Sequence, residues 1–187
     1  MLNTQEQVMK VINLFGGPGV GKSTTASGLF YEMKKARLEV ELVTEYAKDA
    51  VWEGRTSLLD DQIYIFAKQQ RRISRLAAHG VKWVITDSPV ALGLIYLKDG
   101  ALSDNFNNLV MEVFNHWDNH NFLLQRNFAY TPIGRNQKDE TEAKLFDQRL
   151  NRLFQTYNIP YDVITGGEYA VAEIMKNIVL DNSCEPI

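Results

Sequence analysis

Hydrophobic and polar residues are arranged along the chain in short blocks of changing period, and the first blocks predict a strand followed by a helix. A nearly continuous apolar run at 8–15 predicts a buried strand, because strands covered on both faces carry few polar residues. Beyond a short glycine-rich stretch, Leu29, Phe30 and Met33 recur at helical spacing among polar residues. A glycine-rich loop is therefore expected between a strand and an amphipathic helix.

The same alternation continues to the end of the chain. Four further apolar runs predict strands, and four further periodic stretches predict helices. The strands are expected at 40–43, 83–86, 121–124 and 161–164, and the helices at 57–78, 105–117, 140–157 and 169–179. Strands alternating with helices predict an α/β fold, with a mainly parallel five-stranded sheet, helices on both faces, and a ligand site beyond the carboxyl ends of the strands.

Length and composition fit one domain. A chain of 187 residues that is 45% hydrophobic and 23% charged can build a single core, and it contains no long linker or internal repeat. We expect one domain over 1–187, with a frayed tail at about 182–187. The net charge of −3 provides no overall basic field, so a nucleic-acid partner would need a local cluster of Lys and Arg.

The sequence also favours a cytoplasmic location. The single cysteine, Cys184, has no partner for an internal disulfide, which suits a reducing compartment. The first seven residues are polar, and no segment approaches the roughly 20 apolar residues that span a bilayer. We expect a cytoplasmic protein that does not enter a membrane.

The stretch 16–24 reads GGPGVGKST and contains the pattern G-x-x-x-x-G-K-[ST]. Its glycines allow backbone amides to surround phosphate oxygens, and the helix N-terminus adds positive potential. We expect Lys22 to reach the β- and γ-phosphates, Ser23 to enter the shell of a magnesium ion, and Thr24 to donate to the α-phosphate. The residues expected to bind the nucleotide are Gly17, Gly19, Val20, Gly21, Lys22, Ser23 and Thr24. The pattern indicates ATP and Mg²⁺ but does not identify the reaction.

Two acidic residues follow strands that should end beside this loop. Asp87 follows the strand 83–86, where a P-loop enzyme holds its magnesium shell, although an N-cap or Asx turn is the alternative. Glu45 follows the strand 40–43, where a carboxylate could accept the proton of an attacking hydroxyl. The alternative for Glu45 is a solvated glutamate in a first helical turn.

A stretch without regular apolar period, at about 125–139, predicts a lid. Arg126 and Arg135 could close over the transferring phosphoryl group and exclude water, which a kinase needs to avoid hydrolysing ATP. The alternative is an exposed loop whose arginines are solvated.

Three other groups of residues have both a functional and a structural interpretation. A basic patch on the helix 57–78 could contact acceptor phosphate, but a solvated helix face is the preferred interpretation. Four aromatic residues could stack an acceptor base, but core packing is preferred. A glycine pair could pass the adenine or form a simple turn. The three groups are Arg71, Arg72 and Arg75; Trp52, Tyr64, Phe66 and Tyr96; and Gly166-Gly167.

The loop and three further motifs together resemble a known family over most of the chain. The further motifs are Thr44-Glu45-Tyr46, Thr86-Asp87-Ser88-Pro89, and Arg126…Tyr130…Gly134-Arg135…Gln137…Glu142-Ala143. They resemble small P-loop kinases related to nicotinamide riboside kinase domains and phage-encoded nucleotide kinases, and most of all the phage enzymes that phosphorylate 5-hydroxymethyluracil bases in DNA. The resemblance implies a five-stranded parallel sheet, magnesium ATP as donor, and an arginine-bearing lid. The residues that would carry these functions are Lys22, Ser23, Asp87, Arg126 and Arg135.

The leading hypothesis is a kinase whose catalytic residues are Lys22, Glu45, Asp87, Arg126 and Arg135. Its acceptor is a nucleoside, a nucleotide or a modified base, and the net charge does not favour an acceptor within DNA. The alternative is a nucleotide-dependent switch or binding ATPase that acts through a protein partner. A phage-encoded enzyme would work in the host cytoplasm.

Overall fold

The structure is a computed structural model that describes residues 8–98, 100–125 and 140–182. It contains five strands and six α-helices within those ranges, together with two short 3₁₀ segments. The strands are β1 (Lys10–Phe15), β2 (Val40–Val43), β3 (Trp83–Thr86), β4 (Asp118–Gln125) and β5 (Asp162–Thr165). The helices are α1 (Lys22–Lys35), α2 (Tyr46–Trp52), α3 (Gln62–Ala77), α4 (Asp104–Asn115), α5 (Glu140–Tyr157) and α6 (Ala170–Asn182), and the 3₁₀ segments are Thr56–Asp60 and Val90–Tyr96.

The strands form one sheet in the order β2-β3-β1-β4-β5, and all four pairings are parallel. Strand β1 is central, with Asn13 opposite Thr86 of β3 on one side and opposite Asn121 of β4 on the other. The predicted five-stranded parallel sheet is confirmed. Because parallel strands end together, the residues after β1, β2 and β3 meet at one edge.

Alternate residues of β1 face two separate cores. Val11 and Phe15 pack on one side of the sheet with buried residues of α3, α4 and α5. Ile12 and Leu14 pack on the other side with buried residues of α1 and α6. This two-sided burial explains the continuous apolar run of β1, and it confirms the prediction of helices on both faces.

A polar cluster interrupts the first of these cores. The Asn13 side chain is buried, and its Nδ2 donates to Oδ1 of Asn119 at 2.7 Å and to Oδ1 of Asn121 at 3.0 Å. Asn119 in turn donates to the Phe114 carbonyl at the end of α4, and Asn121 donates to the Pro160 carbonyl before β5. The amides therefore supply donors to backbone carbonyls at the end of α4 and before β5.

The structure departs most from the predicted elements at three places, and the other predicted boundaries that differ are shifted by three residues or fewer. The predicted helix 57–78 is divided, because Asp61 accepts a hydrogen bond from the backbone N–H of Tyr64 and caps a new helix there. Helix α2 was not predicted, because its seven residues are too few to show a period. Strand β4 begins three residues earlier than predicted, where polar residues that satisfy one another replace the apolar signal.

Within the described ranges, none of the helices combines the length and the apolar character that crossing a bilayer requires. The predicted tail at 182–187 lies outside the described residues except for Asn182, which ends α6.

Candidate active site

The glycine-rich loop joins β1 to α1, and Gly16 shows why its first position needs glycine. Gly16 has φ of 145°, and a Cβ built there would lie 2.7 Å from Cγ2 of Val20 and 2.9 Å from the carbonyl oxygen of Leu124. The loop then turns into α1 at Gly21, so that the first amides of the helix face the loop. This is the arrangement in which helix N-termini bind phosphate.

The Lys22 ammonium group is held against the loop. Its Nζ donates to the carbonyl of Gly16 at 2.7 Å and to the carbonyl of Gly17 at 3.1 Å. These bonds place a positive charge beside the amides that would surround phosphate. Ser23 and Thr24, which follow in the first turn of α1, are both exposed and accessible to a bound nucleotide.

Asp87 joins the loop to the end of β2. Its Oδ2 accepts the Ser23 hydroxyl at 2.5 Å, and its Oδ1 accepts the backbone N–H of Glu45 at 3.0 Å. The residue is only 4% exposed. The 3₁₀ segment that follows has Pro89 at its N-cap and no side-chain cap, so these two bonds replace the N-cap alternative. One carboxylate therefore connects three chain segments.

Glu45 occupies the N-cap position of α2, but its carboxylate does not cap the helix. Its side chain is half-buried. Burial raises the pKa of the Glu45 carboxyl; the positive charge of Lys22 opposes that rise, and the negative charge of Asp87 adds to it. A carboxylate with a raised pKa is a stronger base than an ordinary one, which suits proton abstraction.

Tyrosine and basic side chains lie next to Glu45. The Tyr46 hydroxyl donates to the Tyr64 hydroxyl at 3.1 Å, and this bond lowers the pKa of Tyr64 and raises that of Tyr46. Lys68 lies 5.1 Å from the centre of the Tyr64 ring, and Arg55 interacts electrostatically with both tyrosines. The surface around Tyr46, the residue that follows Glu45, thus combines aromatic rings with positive charge.

Arg72 differs from the other two arginines of the basic patch on α3. It is half-buried and donates to the Thr44 carbonyl at 3.0 Å and to Asp49 at 2.5 Å, whereas Arg71 and Arg75 are exposed. Its guanidinium also lies 5.2 Å from the centre of the Tyr46 ring. The preferred interpretation, a solvated helix face, therefore fits Arg71 and Arg75 but not Arg72. The third holds the segment that carries Glu45.

Gly166 approaches the phosphate loop from β5. A Cβ built on Gly166 would lie 2.6 Å from the carbonyl oxygen of Gln125 and 3.0 Å from that of Val20, and its N–H donates to the same Gln125 oxygen at 3.1 Å. The close approach to two backbone carbonyls explains why glycine stands here. These contacts show close packing against the phosphate loop, and whether Gly166-Gly167 passes near an adenine stays a prediction.

The four aromatic residues have different environments. Phe66 packs against the first core, as the preferred interpretation predicts. Tyr96 is 44% exposed and its ring contacts that of Phe146. Trp52, at the end of α2, is 67% exposed and does not belong to either core. Tyr64 is half-buried beside Tyr46.

The predicted lid at 125–139 lies outside the described residues apart from Gln125, which ends β4. Arg126 and Arg135 are among the residues outside, so their role stays a prediction.

Oxygen donors suited to magnesium are present at the loop. Among the described residues, no group of three or more His, Cys, Asp and Glu side chains is placed to hold a metal ion. Mg²⁺ in nucleotide sites usually takes only one or two protein oxygens and completes its shell with phosphate and water. The adjacent Ser23 hydroxyl and Asp87 carboxylate fit that requirement.

Comparisons with known proteins agree with this fold. A family model described as an AAA domain matches residues 11–170. A structure of the NadR protein in complex with NAD and AMP-PNP has a TM-score of 0.68 and 16% identity over 97% of this chain and 51% of that chain. A structure of NadR in complex with NR has a TM-score of 0.68 and 14% identity over 98% of this chain and 53% of that chain.

Thymidylate kinase from Ehrlichia chaffeensis has a TM-score of 0.61 and 16% identity over 91% of this chain and 99% of that chain. The chain therefore spans about half the length of the NadR chains and nearly the whole of the thymidylate kinase. At these identities the likeness shows the fold, which is that of the P-loop NTPases. No curated protein sequence matches the chain.

Proposed function

The chain belongs to the AAA domain family, and from this premise we propose that it is an ATP-dependent kinase. The reaction moves the γ-phosphoryl group of ATP to a hydroxyl or phosphate of a nucleoside, a nucleotide or a modified base. The observation that carries the proposal is the position of Asp87, which bonds both the Ser23 hydroxyl of the phosphate loop and the backbone N–H of Glu45. These bonds support the proposal because they connect the backbone of Glu45, the candidate base, to the phosphate loop.

The donor half of the site is built to bind and neutralise phosphate. Backbone amides at the start of α1 and the Lys22 ammonium provide positive charge, which stabilises the charge on the transferring phosphoryl group. Ser23 and Asp87 are the residues that would hold Mg²⁺, which supplies further neutralisation of the phosphates when bound. Arg126 and Arg135 are proposed to act from the lid.

The acceptor half depends on Glu45. Its carboxylate takes the proton of the acceptor hydroxyl as that oxygen forms a bond to the γ-phosphorus. The bond between the γ-phosphorus and the oxygen bridging it to the β-phosphate breaks, and ADP leaves with that electron pair. Where the acceptor is itself a phosphate, no proton has to be removed, and the carboxylate is not required as a base.

The surface beside Glu45 supports a nucleoside or nucleotide as acceptor. The Tyr46 and Tyr64 rings offer faces for stacking a flat base, while Arg55 and Lys68 offer charge for a phosphate. Trp52, at the other end of α2, is a further exposed ring. The described structural neighbours include a complex with NR and a thymidylate kinase, which are consistent with this class. A 5-hydroxymethyluracil base in DNA is the narrower proposal, based on the sequence resemblance.

Acceptor-dependent release of ADP tests the proposal. The purified protein is given magnesium ATP and, in separate reactions, nucleosides, nucleoside monophosphates, nicotinamide riboside, plain DNA or DNA containing 5-hydroxymethyluracil. We expect one class to raise ADP release well above the rate with ATP alone, and Lys22→Met to abolish the increase. ADP release that none of these acceptors raises, and that rises only with a protein partner, would instead indicate a nucleotide-dependent switch.

A further inference from the structure

Gln69 is a buried polar residue on α3 that faces the carboxyl edge of the sheet. It is 4% exposed, although glutamine is usually found at the surface. Its Oε1 accepts the backbone N–H of Tyr46 at 2.9 Å. Its Nε2 lies 3.4 Å from both the Thr44 carbonyl oxygen and the Thr86 hydroxyl, which together accept its two hydrogens. The amide thus reaches two different strand ends.

These strand ends carry the two acidic residues of the site. Thr44 and Tyr46 flank Glu45 on either side, and Thr86 immediately precedes Asp87. One side chain therefore fixes the backbone before and after the candidate base and also contacts the residue before the candidate magnesium ligand. Among the described side chains of α3, no other one hydrogen-bonds both to the segment 44–46 and to Thr86.

The Glu45 carboxylate depends on the backbone on either side of it, which Gln69, Asp87 and Arg72 all bond. Within the described part of the chain, its oxygens make no hydrogen bond, and the contact to Asp87 uses its backbone N–H. The backbone at 44–46 therefore fixes where the side chain starts, and the charge of Lys22 acts on its carboxylate from the phosphate loop. Gln69 holds that backbone from a buried position where water cannot replace its bonds. Arg72, one turn later on α3, bonds the Thr44 carbonyl at a more exposed position.

We propose that Gln69 is a positioning residue, which holds the backbone on both sides of Glu45 so that its carboxylate can reach the acceptor hydroxyl next to Asp87. The proposal rests on the proposed kinase function, since it assigns Gln69 an effect on turnover through Glu45. A purely structural glutamine would affect stability alone. A positioning residue affects kcat while leaving nucleotide binding intact, because displacements of about 1 Å at a reacting group cost on the order of 10²-fold in rate.

Gln69→Met is the first test, because methionine has a similar length and cannot make these bonds. The matched control is Gln62→Met, which removes another buried glutamine of α3 whose Nε2 bonds the Leu59 carbonyl at 2.6 Å, away from the strand ends. We expect acceptor-dependent kcat to fall by about 10- to 100-fold in Gln69→Met and to stay within about twofold in Gln62→Met. The KM for ATP should change little in either variant, although both lose stability.

Two further measurements separate positioning from general loosening. Hydrogen exchange of the Tyr46 amide should become faster in Gln69→Met and remain unchanged in Gln62→Met. In a Glu45→Gln background, Gln69→Met should have almost no further effect on kcat, because the residue through which it acts is already disabled. Should Gln69→Met fail to fold, Thr86→Val removes the bond from Nε2 of Gln69 and also the bond that the Thr86 hydroxyl accepts from the Ser88 backbone N–H at 3.1 Å. A several-fold loss of kcat with faster exchange of the Tyr46 amide is expected, and a loss of kcat with unchanged exchange at Tyr46 would overturn the role of Gln69.

The outcomes distinguish this proposal from the kinase assignment. Wild-type ADP release that responds to an acceptor, together with equal kcat values for Gln69→Met and Gln62→Met, would overturn the positioning role and leave the kinase intact. Full additivity with Glu45→Gln would also overturn it. A wild-type protein that shows no acceptor-dependent release would overturn both, because no base would then need to be positioned.

Discussion

Glu45→Gln separates the chemistry of the site from its architecture, because the two side chains differ in charge but hardly in shape. In the described structure the Glu45 carboxylate makes no hydrogen bond, so the substitution does not remove a contact that supports the fold. A positioned general base contributes about 10²- to 10⁴-fold to a rate, equivalent to about 3–5 kcal/mol of transition-state stabilisation. We expect kcat for a hydroxyl acceptor to decrease by a factor within this range and the affinity for ATP to stay unchanged.

The same substitution should stabilise the free protein at neutral pH. Burial raises the pKa of Glu45 above its ordinary value of 4.5, so the folded state disfavours the ionised form. Below pH 4.5 the carboxyl is protonated in both the folded and the unfolded state, and the wild type carries no penalty. As the pH rises from 4.5 through the raised pKa of the folded state, the unfolding free energy of the wild type falls. That of Glu45→Gln does not fall for this reason, because glutamine does not ionise. Function and stability thus have opposite requirements here.

The assay pairs kcat measurements with denaturant unfolding at pH 4 and pH 8, the latter without nucleotide or magnesium. Glu41→Gln is the matched control, because Glu41 is a half-buried glutamate of β2 whose partner is Lys34 at 3.0 Å. It should retain turnover and lose at most about 1 kcal/mol of unfolding free energy. Turnover of Glu45→Gln within twofold of the wild type would show that Glu45 is not the base. A Glu45→Gln protein less stable than the wild type at pH 8 would show that the ionised carboxylate does not destabilise the fold.

Three other substitutions test separate parts of the site and fold. Asp87→Asn weakens the acceptor of the Ser23 hydroxyl, so we expect about 10- to 100-fold lower turnover, measured over a range of Mg²⁺ concentrations. An unchanged dependence of turnover on Mg²⁺ would argue against Asp87 as a residue that holds the ion. Gly166→Ala should lower the unfolding free energy by about 1–3 kcal/mol and weaken ATP binding in a titration. Gly93→Ala should do neither, because a Cβ built there would meet only Oε1 of Gln62, at 3.7 Å. Asn13→Leu removes the donor to the amide oxygens of the buried Asn121 and the half-buried Asn119, and it should cost about 1–3 kcal/mol in denaturant unfolding. A variant as stable as the wild type would show that the cluster is dispensable.

The sheet was predictable because its strands are short apolar runs between turn residues. Strands Val40–Val43 and Trp83–Thr86 begin and end where the sequence predicts, and the helix Glu140–Tyr157 does as well. The errors arise where polar side chains replace the apolar signal. Asp61 caps a helix inside a stretch whose apolar period continues across it, and the asparagines of β4 make a buried strand look like a loop.

The arrangement of the candidate site was predictable where its residues form a local pattern or directly follow a strand. The loop from Gly16 to Lys22 is a local pattern, and Asp87 and Glu45 follow strands whose ends must meet. Gln69 and Arg72 lie 23 or more residues after the segment they hold. An ordinary glutamine within an amphipathic helix carries no signal for such a contact, which depends on how α3 crosses the sheet. The roles of Arg126 and Arg135 remain predictions.

The central claim is that a phosphoryl group leaves ATP and reaches an acceptor, and transfer of labelled phosphate tests it most directly. ATP labelled in its γ-phosphate is incubated with the protein, magnesium and each acceptor of the panel, and the products are separated and identified. We expect label on one nucleoside, nucleotide or modified-base acceptor, with little or none for Lys22→Met. Label that appears only as inorganic phosphate, with every acceptor present, would contradict it.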